Sequence, residues 1–82
     1  MPKVTIYSTP TCVYCNMAKK YFDENDVDYE DVDVSKDQSK AKEMVEKSGQ
    51  MGTPVITVGE GDNEEVIVGF QKNLLAEKLD LN

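Results

Sequence analysis

Two cysteines, the only two in the chain, stand three positions apart as Cys12-Val13-Tyr14-Cys15, directly after a short β-rich run. A bond across so short a loop removes little chain entropy, and one pair is too few to scaffold a small secreted fold. Cysteines at this spacing are more often catalytic or metal-binding than structural. Zinc normally takes four ligands. With no histidine and no other cysteine in the sequence, two would have to come from elsewhere, so no metal site is expected.

The surroundings of the pair set its chemistry. Lys3-Val4-Thr5-Ile6-Tyr7-Ser8 alternates β-branched and apolar residues and stops at Thr9-Pro10, the pattern of a strand entering a loop. From Cys15 to Asn25, apolar residues at Met17, Ala18, Tyr21 and Phe22 make one helical face. A helix is therefore expected to begin at or just beyond Cys12, with Thr11 as its N-cap and Pro10 stiffening the approach. Unpaired amides and the positive end of the helix dipole stabilise an anion at that position. A thiolate is such an anion and is the attacking species, so Cys12 should titrate below the free-thiol value of roughly 8.5. Cys15, one turn inside, should be more buried, less acidic and within disulfide reach. It is the natural resolving thiol. In the implied reaction Cys12 attacks a substrate disulfide, Cys15 then attacks the Cys12 sulfur to release reduced substrate, and an external reductant resets the pair.

Further along, Asp28 to Val34 reads as a half-exposed strand. Ser35 with Gln38 makes a capping-box pattern for a second helix, whose apolar face is Ala41, Met44 and Val45 and whose stop is Gly49. Pro54 to Val58 and Glu65 to Val68 flank a polar, Gly-containing turn and predict a β-hairpin. After Gly69, Leu74, Leu75 and Leu79 mark a short closing helix. The order β-α-β-α-β-β-α makes this an α/β chain. Its front unit implies a parallel strand pair with a right-handed crossover, and the hairpin adds antiparallel strands to the same sheet. A length of 82 residues suits a single domain over residues 1–82, with no room for a separate cofactor domain.

Composition narrows the partners. Sixteen acidic residues stand against nine lysines, with no arginine, for a net charge of -7. Phosphate binding needs a basic stripe, so nucleic acid is not an expected partner. The acids crowd between Asp23 and Asp33 and again between Glu60 and Glu65. Such runs are first a solvated surface that serves solubility, and second a field that steers a basic partner. No apolar stretch is long enough to cross a bilayer, and Met-Pro-Lys-Val-Thr-Ile has no signal-peptide core. A monomeric cytoplasmic protein without membrane contacts is expected.

Several of these elements together resemble the glutaredoxin family, of the thioredoxin fold. Thr9-Pro10-Thr11-Cys12-Val13-Tyr14-Cys15 followed by Ala18-Lys19 is similar to the family's active site, usually Cys-Pro-Tyr-Cys with Ala-Lys downstream. Glu43 to Gly49 and then Gly52-Thr53-Pro54 resemble the second helix and the loop with the family's cis-proline. Gly69 matches the glycine that opens the last helix. The resemblance implies a four-stranded mixed sheet flanked by three helices, and a dithiol oxidoreductase that acts on disulfide-containing proteins or glutathione mixed disulfides. It implies no tightly bound cofactor, with glutathione as reductant and cosubstrate. By the same similarity Pro54 should be cis and lie beside Cys12, with Thr53 offering its backbone to an extended cysteine peptide. The groove would include Thr11, Val13, Tyr14 and the helix-start amides at Gly69, Phe70 and Gln71, with Lys19 or Gln50 at the glycine end of glutathione.

Two departures qualify this. Val13 replaces the usual proline, which frees the residue-13 amide and relaxes a feature thought to discourage a glutathione-assisted iron–sulfur cluster bridging two copies. The usual Gly-Gly-x-Asp-Asp segment is Val68-Gly69-Phe70-Gln71-Lys72 here, so the acid that should meet the glutathione amino group is missing. Gly-Phe at this point also resembles the NrdH-type redoxins, which are reduced by thioredoxin reductase and serve ribonucleotide reductase.

Overall fold

A computed structural model describes residues 3–59, 61 and 64–79. The elements follow the expected order: β1 (Val4–Ser8), α1 (Val13–Glu24), β2 (Glu30–Asp33), α2 (Gln38–Ser48), β3 (Val55–Val58), β4 (Glu65–Val68) and α3 (Lys72–Lys78). The four strands form one mixed sheet in the order β2-β1-β3-β4. β1 runs parallel to β2 with Ile6 opposite Asp31, and antiparallel to β3 with Tyr7 opposite Val55. The hairpin pairs Ile56 with Ile67. This is the thioredoxin fold.

Strand alternation divides the core between two faces. Val4, Ile6, Ile56, Val58 and Ile67 face one way and pack with Ala18 and Phe22 of α1 and Leu75 of α3. Tyr7 and Val55 face the other way and meet Met44 of α2. The Tyr7 hydroxyl donates to Glu43 Oε2 at 2.7 Å. Burial first, and that bond second, push the phenol above its ordinary range, while the same bond holds the Glu43 carboxyl below its own.

Helix ends differ from expectation at three places. Thr11 does not cap α1. Cys12 does, in an extended conformation (φ -84°, ψ 112°), because the side chain that reaches the N3 amide must come from the residue immediately before the first helical one. The Ser35–Gln38 box does not open α2. Its cap is Asp37, whose carboxylate accepts from the amides of Ser39 at 3.0 Å and Lys40 at 3.2 Å. The Ser35 amide instead donates to Asp33 Oδ1 at 2.9 Å in the preceding turn. Both carboxyls are held below the usual carboxylate range, chiefly by the neighbouring serine hydroxyls. Gly69 does not open α3. It has a left-handed φ of +82°, its amide donates to the Pro54 carbonyl at 2.9 Å, and it ends β4 two residues before the cap at Gln71.

The remaining stops follow helix chemistry. α1 ends with Asp26 in the left-handed region (φ 56°) and the Val27 amide bonded to the Phe22 carbonyl at 2.9 Å. The same two residues share the core beneath, the apolar contact that accompanies this type of helix end. α2 stops at Gly49, φ +74°, as the pattern predicts.

Candidate active site

β1 delivers the chain to the site. Its last residue, Ser8, is followed by a turn in which the Cys12 amide donates to the Thr9 carbonyl at 3.2 Å. The two-residue spacer makes Cys12 the N-cap and Cys15 the third helical residue. This is the interval over which a capping side chain reaches a free amide. The capping atom is sulfur: the Cys15 amide donates to Cys12 Sγ at 3.1 Å. The pair is joined as a disulfide with its Cα atoms 5.2 Å apart. Its members are unequal, since Cys12 is half-buried at the surface whereas Cys15 is 0 % exposed.

The other expected residues are gathered at the same end of the sheet by strand register. Tyr7 opposite Val55 brings Pro54 alongside the end of β1, and the Thr53–Pro54 peptide bond is cis. The Gly69 amide on the Pro54 carbonyl adds the segment from Gly69 to Gln71. Val13 (69 % exposed) and Tyr14 (63 %) stand out on the first turn of α1, and Met51 (84 %) stands out on the loop that runs from Gln50 into Thr53. Thr11 is exposed in the turn before Cys12, and Phe70 is half-buried.

Two expected residues are engaged elsewhere. Lys19 Nζ lies 2.7 Å from Asp31 Oδ2 on β2. The Gln71 side-chain amide folds back to donate to the Val68 carbonyl at 2.8 Å. Beside the site, Met17, Lys20, Tyr21, Glu24, Phe70 and Lys72 line a cleft of about 330 Å³. Tyr21 and Phe70 rings stand 5.9 Å apart there, and Lys72 Nζ is 5.6 Å from the Tyr21 ring centre. Among the described residues no group of three or more histidine, cysteine or acidic side chains is placed to hold a metal ion.

The contact of buried Ser8 with Asp31 is one that reading the sequence missed. Asp31 appears there only as one of a run of acids. Ser8 carried a signal: it continues the Val4, Ile6 parity and so puts a hydroxyl on the core side of β1.

A redox-active pair at a helix start, next to a cis-proline on a thioredoxin fold, defines a thiol–disulfide oxidoreductase. The sequence model of the Glutaredoxin family matches residues 4–61, and the chain belongs to the glutaredoxin family. It is 41 % identical over 69 residues to an uncharacterized glutaredoxin-like 8.6 kDa protein in the rubredoxin operon of Clostridium pasteurianum, covering 84 % of this chain and 87 % of that one. It is 30 % identical over 74 residues to the glutaredoxin-like protein NrdH of Lactococcus lactis, covering 90 % and 96 %. Among solved structures, a mutant of the thioredoxin-like protein BC3987 superposes over the whole of both chains with a TM-score of 0.87 at 29 % identity.

Proposed function

We propose that the chain is a dithiol reductase of protein disulfides and glutathione mixed disulfides in which Cys12 attacks and Cys15 resolves. The observation that carries this reading is the asymmetry of the pair. Cys12 sits at the surface, where its sulfur accepts the Cys15 amide, a contact that favours the thiolate over the thiol. Cys15 is enclosed behind it. In the reduced protein Cys12 forms a mixed disulfide with substrate, the Cys15 thiolate displaces the substrate sulfur, and the Cys12–Cys15 bond stores the two electrons' worth of oxidation until a reductant removes it.

Glutathione as that reductant is supported by Tyr14, Thr53 and Pro54, which line the end of the sheet where a cysteine-containing tripeptide would extend. The NrdH-like alternative, with thioredoxin reductase as reductant and ribonucleotide reductase among the substrates, is favoured by two specific contacts. Lys19 is tied to Asp31 and Gln71 to its own backbone, which occupies two of the groups that would meet the ends of glutathione. The test supplies an oxidised protein substrate and NADPH, with glutathione plus glutathione reductase in one tube and thioredoxin reductase in the other. Turnover in the first supports glutathione. Turnover only in the second replaces glutathione while leaving the dithiol reaction standing. Cys12→Ser should abolish turnover in both, and a Cys12→Ser protein that still reduces disulfides would sink the redox reading itself.

A further inference from the structure

Beside the cysteine pair the surface carries charge against the trend of the chain. Sixteen acids stand against nine lysines, and Lys19, Lys40, Lys47 and Lys78 each have a carboxylate within ion-pair distance. Among the described residues Lys20 and Lys72 have none. Both line the cleft of about 330 Å³ between α1 and the start of α3, with Met17, Tyr21, Phe70 and the acid Glu24. The Tyr21 and Phe70 rings stand 5.9 Å apart, and Lys72 Nζ is 5.6 Å from the Tyr21 ring centre. Two unpaired cations over an aromatic floor, in an otherwise acidic chain, suit an anion that is attached to an apolar body.

The cleft is continuous with the redox site. On α1, Val13, Met17, Lys20 and Glu24 follow one another at intervals of four, three and four residues, with Tyr21 beside them. They form one ridge, on the flank away from buried Cys15, Ala18 and Phe22. The ridge starts at the residue next to Cys12 and runs for about 16 Å. Val13 and Met17 are exposed and make an apolar path of one turn from the attacking residue into the cleft. On the other side, the bond from the Gly69 amide to the Pro54 carbonyl fixes the strand end from which Phe70 and Lys72 approach.

We propose that this cleft is a docking subsite for the substrate protein, which reads an acidic residue next to an apolar one in the segment flanking the disulfide to be reduced. The proposal rests on the dithiol reading above. The apolar side chain packs on Met17, Tyr21 and Phe70, and the carboxylate lies between Lys20 and Lys72. These two lysines are specificity-determining residues that act away from the reacting sulfurs. Charge selects the occupant. With a net charge of -7, most of the surface repels an acidic segment, and Glu24 does so at the far end of the ridge, so the segment is favoured where the two unpaired lysines converge. A second copy of the chain carries the same net charge and is repelled as a whole.

The experiment mixes the reduced protein, in single turnover, with synthetic peptides each closed by one disulfide. The peptides differ only in carrying Leu-Glu, Leu-Gln or Leu-Lys at successive positions on either side of the disulfide. At one position Leu-Glu should be reduced about fivefold faster than Leu-Gln at low protein concentration, the size expected for a carboxylate between two exposed lysines. The difference should lie in the half-saturating concentration rather than in the limiting rate, and added salt should shrink it. Lys20→Gln and Lys72→Gln should each weaken the preference, and the double variant should erase it. Lys20→Glu combined with Lys72→Glu should turn it towards Leu-Lys. Lys42→Gln, at an exposed position of α2, changes the net charge by the same amount as either single variant and should keep the preference. Lys20 and Lys72 are themselves exposed, so their replacement leaves the core intact. Equal rates for the three peptides at every position, a parental preference for Leu-Lys, or a preference that Lys42→Gln also loses would overturn the subsite. A doubled mass in solution that the double glutamine variant abolishes would give the cleft to a second copy and overturn it too. In each of these cases, reduction that Cys12→Ser abolishes leaves the dithiol reading standing. Peptides reduced no faster by the parent than by Cys12→Ser would overturn that reading, and the subsite with it.

Discussion

The two faces of the sheet are built differently. Among the described residues, ten buried ones on the side of α1 and α3 form one continuous cluster that includes Val4, Ile6, Phe22, Ile56 and Leu75. On the side of α2 the corresponding cluster has three buried members among the described residues, Tyr7, Met44 and Val55, with Val32, Val34 and Val45 partly buried against them. Beyond them, towards the end of the sheet opposite Cys12, lies a polar cavity of about 320 Å³ lined by Lys3, Lys40 and Lys47 and by Glu30, Glu43 and Glu64. α2 is thus docked by buried Met44 and partly buried Val45, the Tyr7–Glu43 bond and ion pairs such as Lys47–Glu64 at 3.1 Å. The difference assigns tasks. The helix that presents Cys12 and encloses Cys15 is seated on the strong face, where a displaced first turn would cost much burial. α2 makes few apolar contacts, the condition under which a segment opens on its own.

The largest expected effect that tests this contrast is at the centre of the strong face. Phe22→Ala should cost about 3–5 kcal/mol, a large part of the stability of a small domain, read as a fall in the urea midpoint. Met44→Ala should cost less, about 2 kcal/mol, because it removes fewer buried atoms from a smaller cluster. Equal losses in the two variants would break the contrast between the faces. Tyr7→Phe comes next at about 1 kcal/mol for one hydrogen bond, and its amide-exchange signature should be confined to α2 and the neighbouring strands. Exchange accelerated equally across α1 would show that the faces are not independent.

The smallest effect sharpens the contrast through pH. Asp37 and Glu43 have folded-state values below their unfolded ones. The stability they contribute is present above the unfolded carboxylate range of roughly 4 and is lost as pH falls through the lower folded values. Tyr7 is displaced upwards, so its contribution is complete below roughly pH 10 and is lost as pH rises beyond that. Amide exchange in α2 should therefore quicken, relative to α1, at both extremes, and Tyr7→Phe should remove the alkaline arm and also weaken the acid arm, because the Tyr7 bond is the main cause that holds Glu43 low. A pH-independent ratio between the two helices would count against these groups as the docking contacts of α2.

Helices and strands were legible in the sequence wherever one strong period dominated. The run from Val4 to Ser8 alternates, α1 carries Ala18 and Phe22 on one stripe, and Gly49 ends α2 where a left-handed residue is needed. Caps were less legible because several residues competed for each. Thr11 and Ser35 have good capping chemistry, but Cys12 and Asp37 stand at the position from which a side chain reaches the third amide. Gly69 was read as a helix opener, although its amide is taken by Pro54 across the hairpin, a partner that local pattern does not contain.

By itself the sequence determined the redox pair, its unequal members and the order of elements around it, because a two-residue spacer and helical periodicity are short-range properties of the chain. Only the tertiary structure decided which distant groups meet one another. Parallel register between β1 and β2 turned Asp31 from one acid in a run into the partner of buried Ser8 and of Lys19. That register is set by how two faces of a sheet bury their side chains, and no local segment carries it.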